Sequence, residues 1–259
     1  MMSVEYVHVS ETDSTSTLAS SLPLPPVGCC AVVYADRQSA GRGQRGNSWE
    51  SEPGKNLTFS MVYAPEHWPA TMQFTLSMAV ALGMYDALSG FVAGDRVRIK
   101  WPNDIYFDDY KISGILIENT LKGSDLSRSI IGIGLNVNQT EWLSDAPNPL
   151  SLRQITGRQY DLMPVLERVV DCIMERLKSL DGRMENNVSG IQHAATVAEY
   201  ERHLWRHDGR TYPWRDMRGD EPRLFEARIG GIAPWGHLRV CVPDGGHDEF
   251  ELKQLAAVL

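Results

Sequence analysis

No apolar run in the 259-residue sequence reaches the ~18 residues that a membrane-spanning helix requires. Basic residues are in deficit: 25 Lys and Arg face 33 Asp and Glu, for a net charge of −8. That excludes a broad basic face for duplex DNA or an anionic membrane. Lysine itself is scarce, at six of those 25, so each lysine inside a motif stands out. Cysteine is limited to Cys29, Cys30, Cys172 and Cys241, with no C-x-x-C spacing. We read them as free, packed thiols rather than as a redox or zinc centre. The N-terminus, MMSVEYVHVSETDS, has neither the basic start nor the apolar stretch of a secretory signal, so a cytoplasmic protein is expected. A phosphate-binding G-x-x-x-x-G-K-[ST] loop and a G-x-S-x-G elbow are both missing. His203 and His207 stand four apart without a third ligand near in sequence, and no metal site is expected.

Runs of Val, Ile and Ala supply strands at Val4–Val9, Cys29–Ala35, Leu57–Tyr63, Val97–Trp101, Ile105–Phe107, Lys111–Glu118 and Ile130–Val137. A short helix follows Asp13 or Ser14, either of which suits an N-cap. Helical spacing marks Ala70–Leu88, Leu162–Leu177 and the stretch around Val197, Tyr200 and Leu204. After about His207 the texture changes to short alternating strands, at Leu224–Ile229, Leu238–Val242 and a third at Phe250 and Leu252. This predicts a main domain over 1–206 and a small β-domain over 207–259.

Four segments carry polar chemistry. In GRGQRGNSW, Gly41 to Trp49, glycines permit close backbone approach and Arg42 and Arg45 offer forked donors for an anion. Its G-x-G-x-x-G spacing does not open a helix, so a dinucleotide fold is not indicated. Composition alone equally fits a solvated basic loop. KWPND, Lys100 to Asp104, leaves a strand for a turn, and Asn103 and Asp104 suit a turn as well as a ligand. In KISGILIE, strict alternation puts Lys111 on one face with Ser113, Ile115 and Ile117. A lysine there needs a partner or a route to solvent. GIGLNVN, Gly132 to Asn138, carries Asn136 and Asn138 on one strand face, where buried amides must be satisfied.

In this order the four segments resemble the biotin–protein ligases, or holocarboxylase synthetases, over about Glu11 to Asn138. The small β end resembles that family's C-terminal domain by texture and position. The resemblance implies an α+β fold: a mixed β-sheet catalytic domain packed with helices, plus a small SH3-like C-terminal domain. It implies an enzyme that activates biotin with ATP as biotinyl-5′-AMP and passes it to one lysine of a biotin carboxyl carrier protein or domain. Magnesium is expected with the ATP. Biotin would be bound by Ser14, Thr15, Ser16, Gln38, Gly41, Arg42, Gly43, Gln44, Lys111 and Gly114. The nucleotide would meet Arg45, Trp49, Lys100, Asn103, Asp104 and Asn136. Lys111 and Arg42 would be catalytic, because adenylation brings two anions together and needs cations where charge develops. Asp104 is a candidate base for the second step.

Two departures follow. Gln44 stands where several members of the family carry Arg, which removes one cation from the loop. The first strand begins by about Val4, leaving no room for the DNA-binding domain that some members bear, so no operator binding is expected. Members of the family pair protomers through sheet edges, which makes a homodimer compatible with the sequence. Lipoate or octanoate ligases share the fold and a K-I-S-G-like strand, but lack the GRG-x-RG-x-x-W loop. A biotin sensor without catalysis is the other alternative.

Overall fold

Alternation along the Val- and Ile-rich strands gives the main sheet two apolar faces, and each face acquires its own cover. The computed structural model describes residues 4–43, 48–144, 147–181 and 188–258. Strands β1 (Glu5–Thr12), β2 (Cys30–Gln38), β3 (Leu57–Tyr63), β4 (Trp68–Pro69), β5 (Val97–Lys100), β6 (Asp104–Phe107), β7 (Tyr110–Lys122) and β8 (Asp125–Leu135) form one sheet. Its order is β1-β2-β3-β8-β7-β6-β5, with β4 paired to β8. Only β1 and β2 run parallel among these described pairs, so the sheet is mixed, as expected.

On one face Val32, Met61 and Ile131 join the large core with helices α2 (Gln73–Ser89) and α4 (Leu162–Leu180). Their sequence neighbours Val33, Val62 and Ile130 point the other way, onto Ala19 of α1 (Thr15–Ser21). Helices α2 and α4 cross closely at Gly83, where a Cβ would lie 2.6 Å from Ile173 Cα. Beside this crossing Arg176 of α4 bridges Asp86 of α2 and Glu199 of α5 (Val188–Arg202), at 2.6 and 2.9 Å. A short helix, α3 (Leu152–Thr156), is closed by a reciprocal Ser151–Gln154 capping box. The sequence reading did not anticipate α3.

A second sheet follows, with order β12-β11-β10-β9-β13 and all pairs antiparallel. Its strands are β9 (Tyr212–Asp216), β10 (Arg223–Ile232), β11 (Leu238–Cys241), β12 (His247–Phe250) and β13 (Leu255–Ala257). A five-stranded antiparallel sheet is consistent with an SH3-like domain. Three strands were expected here. Strand β9 was hidden by Pro213 and β13 by its three-residue length, and β12 stops at Phe250 before Leu252. No helix among the described residues is long and apolar enough to cross a membrane.

Candidate active site

Three glycines make the floor of the site. On the β7–β8 ladder Gly114 pairs with Gly134 and Leu116 with Gly132, which puts the glycines on the face that carries α1. A Cβ on Gly134 would overlap the Trp49 indole, and one on Gly132 would lie 2.5 Å from Ser16 Oγ. Glycine is therefore required here for close approach rather than for a turn. Above this floor opens a cavity of about 740 Å³.

The α1 end of the cavity is a hydroxyl and amide cluster. Ser14, Thr15, Ser16 and Gln38 all line it. Thr15 donates to Gln38 Oε1 twice, from its backbone N–H at 2.7 Å and from Oγ1 at 3.1 Å. Ser60 of β3 donates to Thr15 Oγ1 at 2.9 Å and bonds Ser16 Oγ at 3.1 Å. Sequence reasoning missed Ser60, whose only signal is a second hydroxyl, after Thr58, on a largely apolar buried strand. Ser14 occupies the N-cap position of α1, but its side chain makes no capping bond. The expectation of a side-chain cap at Ser14 fails, and its hydroxyl is left to the cavity.

The opposite end is charged. Lys111 Nζ meets Asp104 Oδ1 at 2.8 Å, with both side chains largely covered. The expected face of Lys111 is corrected by a β-bulge. Tyr106 pairs with Lys111 but Ile105 pairs with Ser113, so Ile112 is an extra residue and the alternation resets. Ser113 and Ile115 stay in the core, while Lys111 shares the cavity face with Gly114 and comes within 3.4 Å of where a Cβ there would lie. Asn136 fixes the bulge: its N–H donates to Ile112 O at 2.9 Å, and its Nδ2 to Leu150 O at 3.1 Å and Lys111 O at 3.4 Å. Asn103 donates to Ile115 O at 2.6 Å. Asn138 serves structure instead, exchanging bonds with the Tyr160 backbone. Lys100 donates to Tyr106 Oη at 2.9 Å, and burial lowers its basicity.

The described ends of the glycine-rich loop, Arg42–Gly43 and Ser48–Trp49, border the cavity. Arg42 and Ser48 form a bridge, and Trp49 N donates to Gly41 O at 3.1 Å. Arg42 and Gly43 line the cavity, and Arg42 pairs with Glu118 at 2.6 Å at a half-exposed position. Gly41 is not a lining residue; it backs the loop against Trp49 O. Gln44, Arg45 and Gly46 lie outside the described residues. Glu50 accepts from Leu143 N at 2.8 Å and Ser144 N at 2.9 Å, which ties this loop to the segment after β8. Those backbone bonds hold its carboxyl below the ordinary range despite partial desolvation.

Three buried polar atoms at the cavity have no partner: Trp49 Nε1, Trp142 Nε1 and Asn136 Oδ1. Two donors and an acceptor in this condition suit a polar ligand that can satisfy them. Trp142 had no recognisable signal in the sequence. The site thus joins a hydroxyl end, a flat glycine floor and a cationic end. Among the described residues no three His, Cys, Asp or Glu side chains converge on a metal.

Residues 9–136 match the sequence profile of the biotin/lipoate A/B protein ligase family. The bifunctional ligase/repressor BirA of Escherichia coli is 44% identical over 106 residues, 41% of this chain and 32% of that one. The biotin–[acetyl-CoA-carboxylase] ligase of Paracoccus denitrificans is 35% identical over 165 residues, 59% of this chain and 65% of that one. The chain therefore spans between about a third and two thirds of the length of the curated relatives it matches. Among solved structures, the biotin protein ligase of Aquifex aeolicus in complex with biotin and ATP superposes with a TM-score of 0.74 at 25% identity. That match covers 98% of this chain and 99% of that one.

Proposed function

The chain belongs, through residues 9–136, to the biotin/lipoate A/B protein ligase family, and from that premise we propose that it is an ATP-dependent biotin–protein ligase. The biotin carboxylate attacks the α-phosphorus of ATP, forming biotinyl-5′-AMP and releasing pyrophosphate. The amine of an acceptor lysine then attacks the acyl carbon, forming an amide and releasing AMP. A carboxylate alone is a poor electrophile, and the mixed anhydride supplies a good leaving group.

The observation that carries this reading is the Lys111–Asp104 pair at the end of a glycine-floored slot whose other end is hydroxylic. Thr15, Ser16 and Gln38 suit the polar ring of biotin, with Ser14 and Gly43 beside it and Gly41 supporting the loop from behind. Lys111, beside Gly114, would hold the carboxylate and the α-phosphoryl oxygens as charge builds up, where a charge-assisted bond contributes about 1.5–3 kcal/mol. Arg42 would join it from the loop, together with Gln44 and Arg45. Trp49, Lys100, Asn103 and Asn136 are assigned to the nucleotide. Asp104, freed as Lys111 turns to the phosphoryl group, would take the proton of the acceptor amine. Magnesium is expected to accompany the ATP phosphates. We assign residues 1–206 to catalysis and 207–259 to an SH3-like domain. The acceptor is a biotin carboxyl carrier protein or domain, and the setting is the cytosol, where the four thiols stay free.

Biotin-dependent exchange of labelled pyrophosphate into ATP tests the first step. Exchange is expected with biotin and absent without it. Exchange that lipoate supports and biotin does not would move the chain to the other branch of the family.

A further inference from the structure

We propose that Trp205 is a positioning residue for the nucleotide end of the cavity, holding the Lys100 ammonium ready for the phosphates of ATP. The inference rests on the reading of the cavity as a biotin and ATP site.

Lys100 differs from the other cations described there. Lys111 is neutralised by Asp104 and Arg42 by Glu118. Among the described residues Lys100 has no carboxylate within ion-pair distance. Its ammonium is held by neutral groups: the Tyr106 hydroxyl at 2.9 Å, the Tyr106 ring at 4.8 Å and the Trp205 ring at 5.6 Å from the centroids. Asp104, across the strand pair, acts on Lys100 from beyond ion-pair distance and is itself bonded to Lys111, so a buried Lys100 can still take an anion, and aromatic faces hold it without neutralising it.

Trp205 is itself fixed from several directions. Its backbone N–H donates to Ile99 O at 2.9 Å, in a segment that also receives Ile99 N at His203 O at 2.8 Å. The register of Trp205 is thus set against β5, next to Lys100. The indole N–H donates to Asp109 Oδ1 at 2.9 Å. The Arg206 guanidinium lies 4.0 Å from the same ring, and its Nη2 donates to Val258 O at 2.9 Å. Trp205 is 4% exposed, so it contacts no ligand from solvent and acts through Lys100.

A double-mutant cycle tests this. Affinity for α,β-methylene-ATP, whose uncleavable α,β-bridge keeps it from donating its adenylyl group to biotin, is read by calorimetry with biotin present, and biotin affinity is read separately. Trp205→Ala is expected to weaken the nucleotide analogue about 5- to 20-fold, the scale of a partly desolvated cation–π contact, and to change biotin affinity less than about twofold. In a Lys100→Met background the same change is expected to add less than about twofold. Trp205→Phe, which keeps a ring, is expected to restore most of the nucleotide affinity. Should Trp205→Ala not fold, Trp205→Leu carries the cycle. Equal losses for both ligands, or effects that multiply in the double variant, would overturn the proposal. A wild-type protein that makes biotinyl-AMP while the cycle proves additive sinks this inference alone. One that shows the coupling but forms no adenylate sinks the functional reading instead.

Discussion

Lys111 lies 2.8 Å from Asp104, so its charge is balanced until a second anion arrives. Removing it should leave the fold largely intact and abolish the site's main cation. We expect Lys111→Met to lower adenylate formation by about 10²–10³-fold, as loss of one transition-state donor does, with the thermal midpoint close to wild type. Unchanged activity would show that the lysine is a surface residue with an incidental partner. Ser60 gives a milder prediction. Its hydroxyl braces Thr15 and Ser16, so Ser60→Ala should weaken biotin binding severalfold at a stability cost near 1 kcal/mol. Unchanged affinity for biotin would contradict that brace. Lys111 was legible in the sequence because a lysine on an apolar strand demands a reason. Its facing was not, because a bulge at Ile112 leaves no mark in hydrophobic alternation. Ser60 was illegible because a single serine in a buried strand looks the same whether it packs or binds.

Glycines on two elements make opposite predictions. Gly134 on β8 faces the Trp49 indole, which belongs to a loop and can move. Gly134→Ala should therefore displace the indole, reduce affinity for the adenylate more than about tenfold and change stability little, because steric strain relaxes where a neighbour can shift. Gly83 on α2 faces the backbone of Ile173 on α4, which cannot move cheaply. Gly83→Ala should cost about 1–3 kcal/mol of stability through overpacking, with ligand affinity per folded molecule unchanged. Chemical denaturation and calorimetry on the pair decide this, and the reverse pattern would contradict the account. Strands and long helices were legible because their apolar periods are strong. Helix α3 was missed although Ser151 and Gln154 have the spacing of a capping box. The signal was present, but five residues are too few to show a stripe.

At the scale of the whole molecule the second sheet is fastened to the first body by specific bonds. Glu201 accepts from Ile232 N at 2.6 Å, Trp101 donates to Gly236 O at 2.9 Å, and Arg206 reaches Val258 O. The acidic response of this sheet follows from Asp216, held at about 2, below its ordinary 3.8, chiefly by its bonds to Arg218. A depressed carboxyl stabilises the fold fully above the unfolded value and loses that contribution as pH falls through the folded one. The stability gap between wild type and Asp216→Asn should be constant from pH 7 to 5 and close between pH 4 and 2. A gap that widens on acidification would contradict the assignment. The sequence revealed strands of this second sheet by texture alone. It did not reveal that Trp101, inside a motif, serves as its anchor, because that contact joins residues 135 positions apart.

The central claim is activation of biotin, and one measurement addresses it directly. Purified protein is incubated with Mg·ATP and an equimolar mixture of biotin and lipoate, and acyl-adenylates are identified by mass spectrometry. The account predicts biotinyl-5′-AMP with no lipoyl-AMP. Lipoyl-AMP alone, or biotin bound without any adenylate, would contradict it.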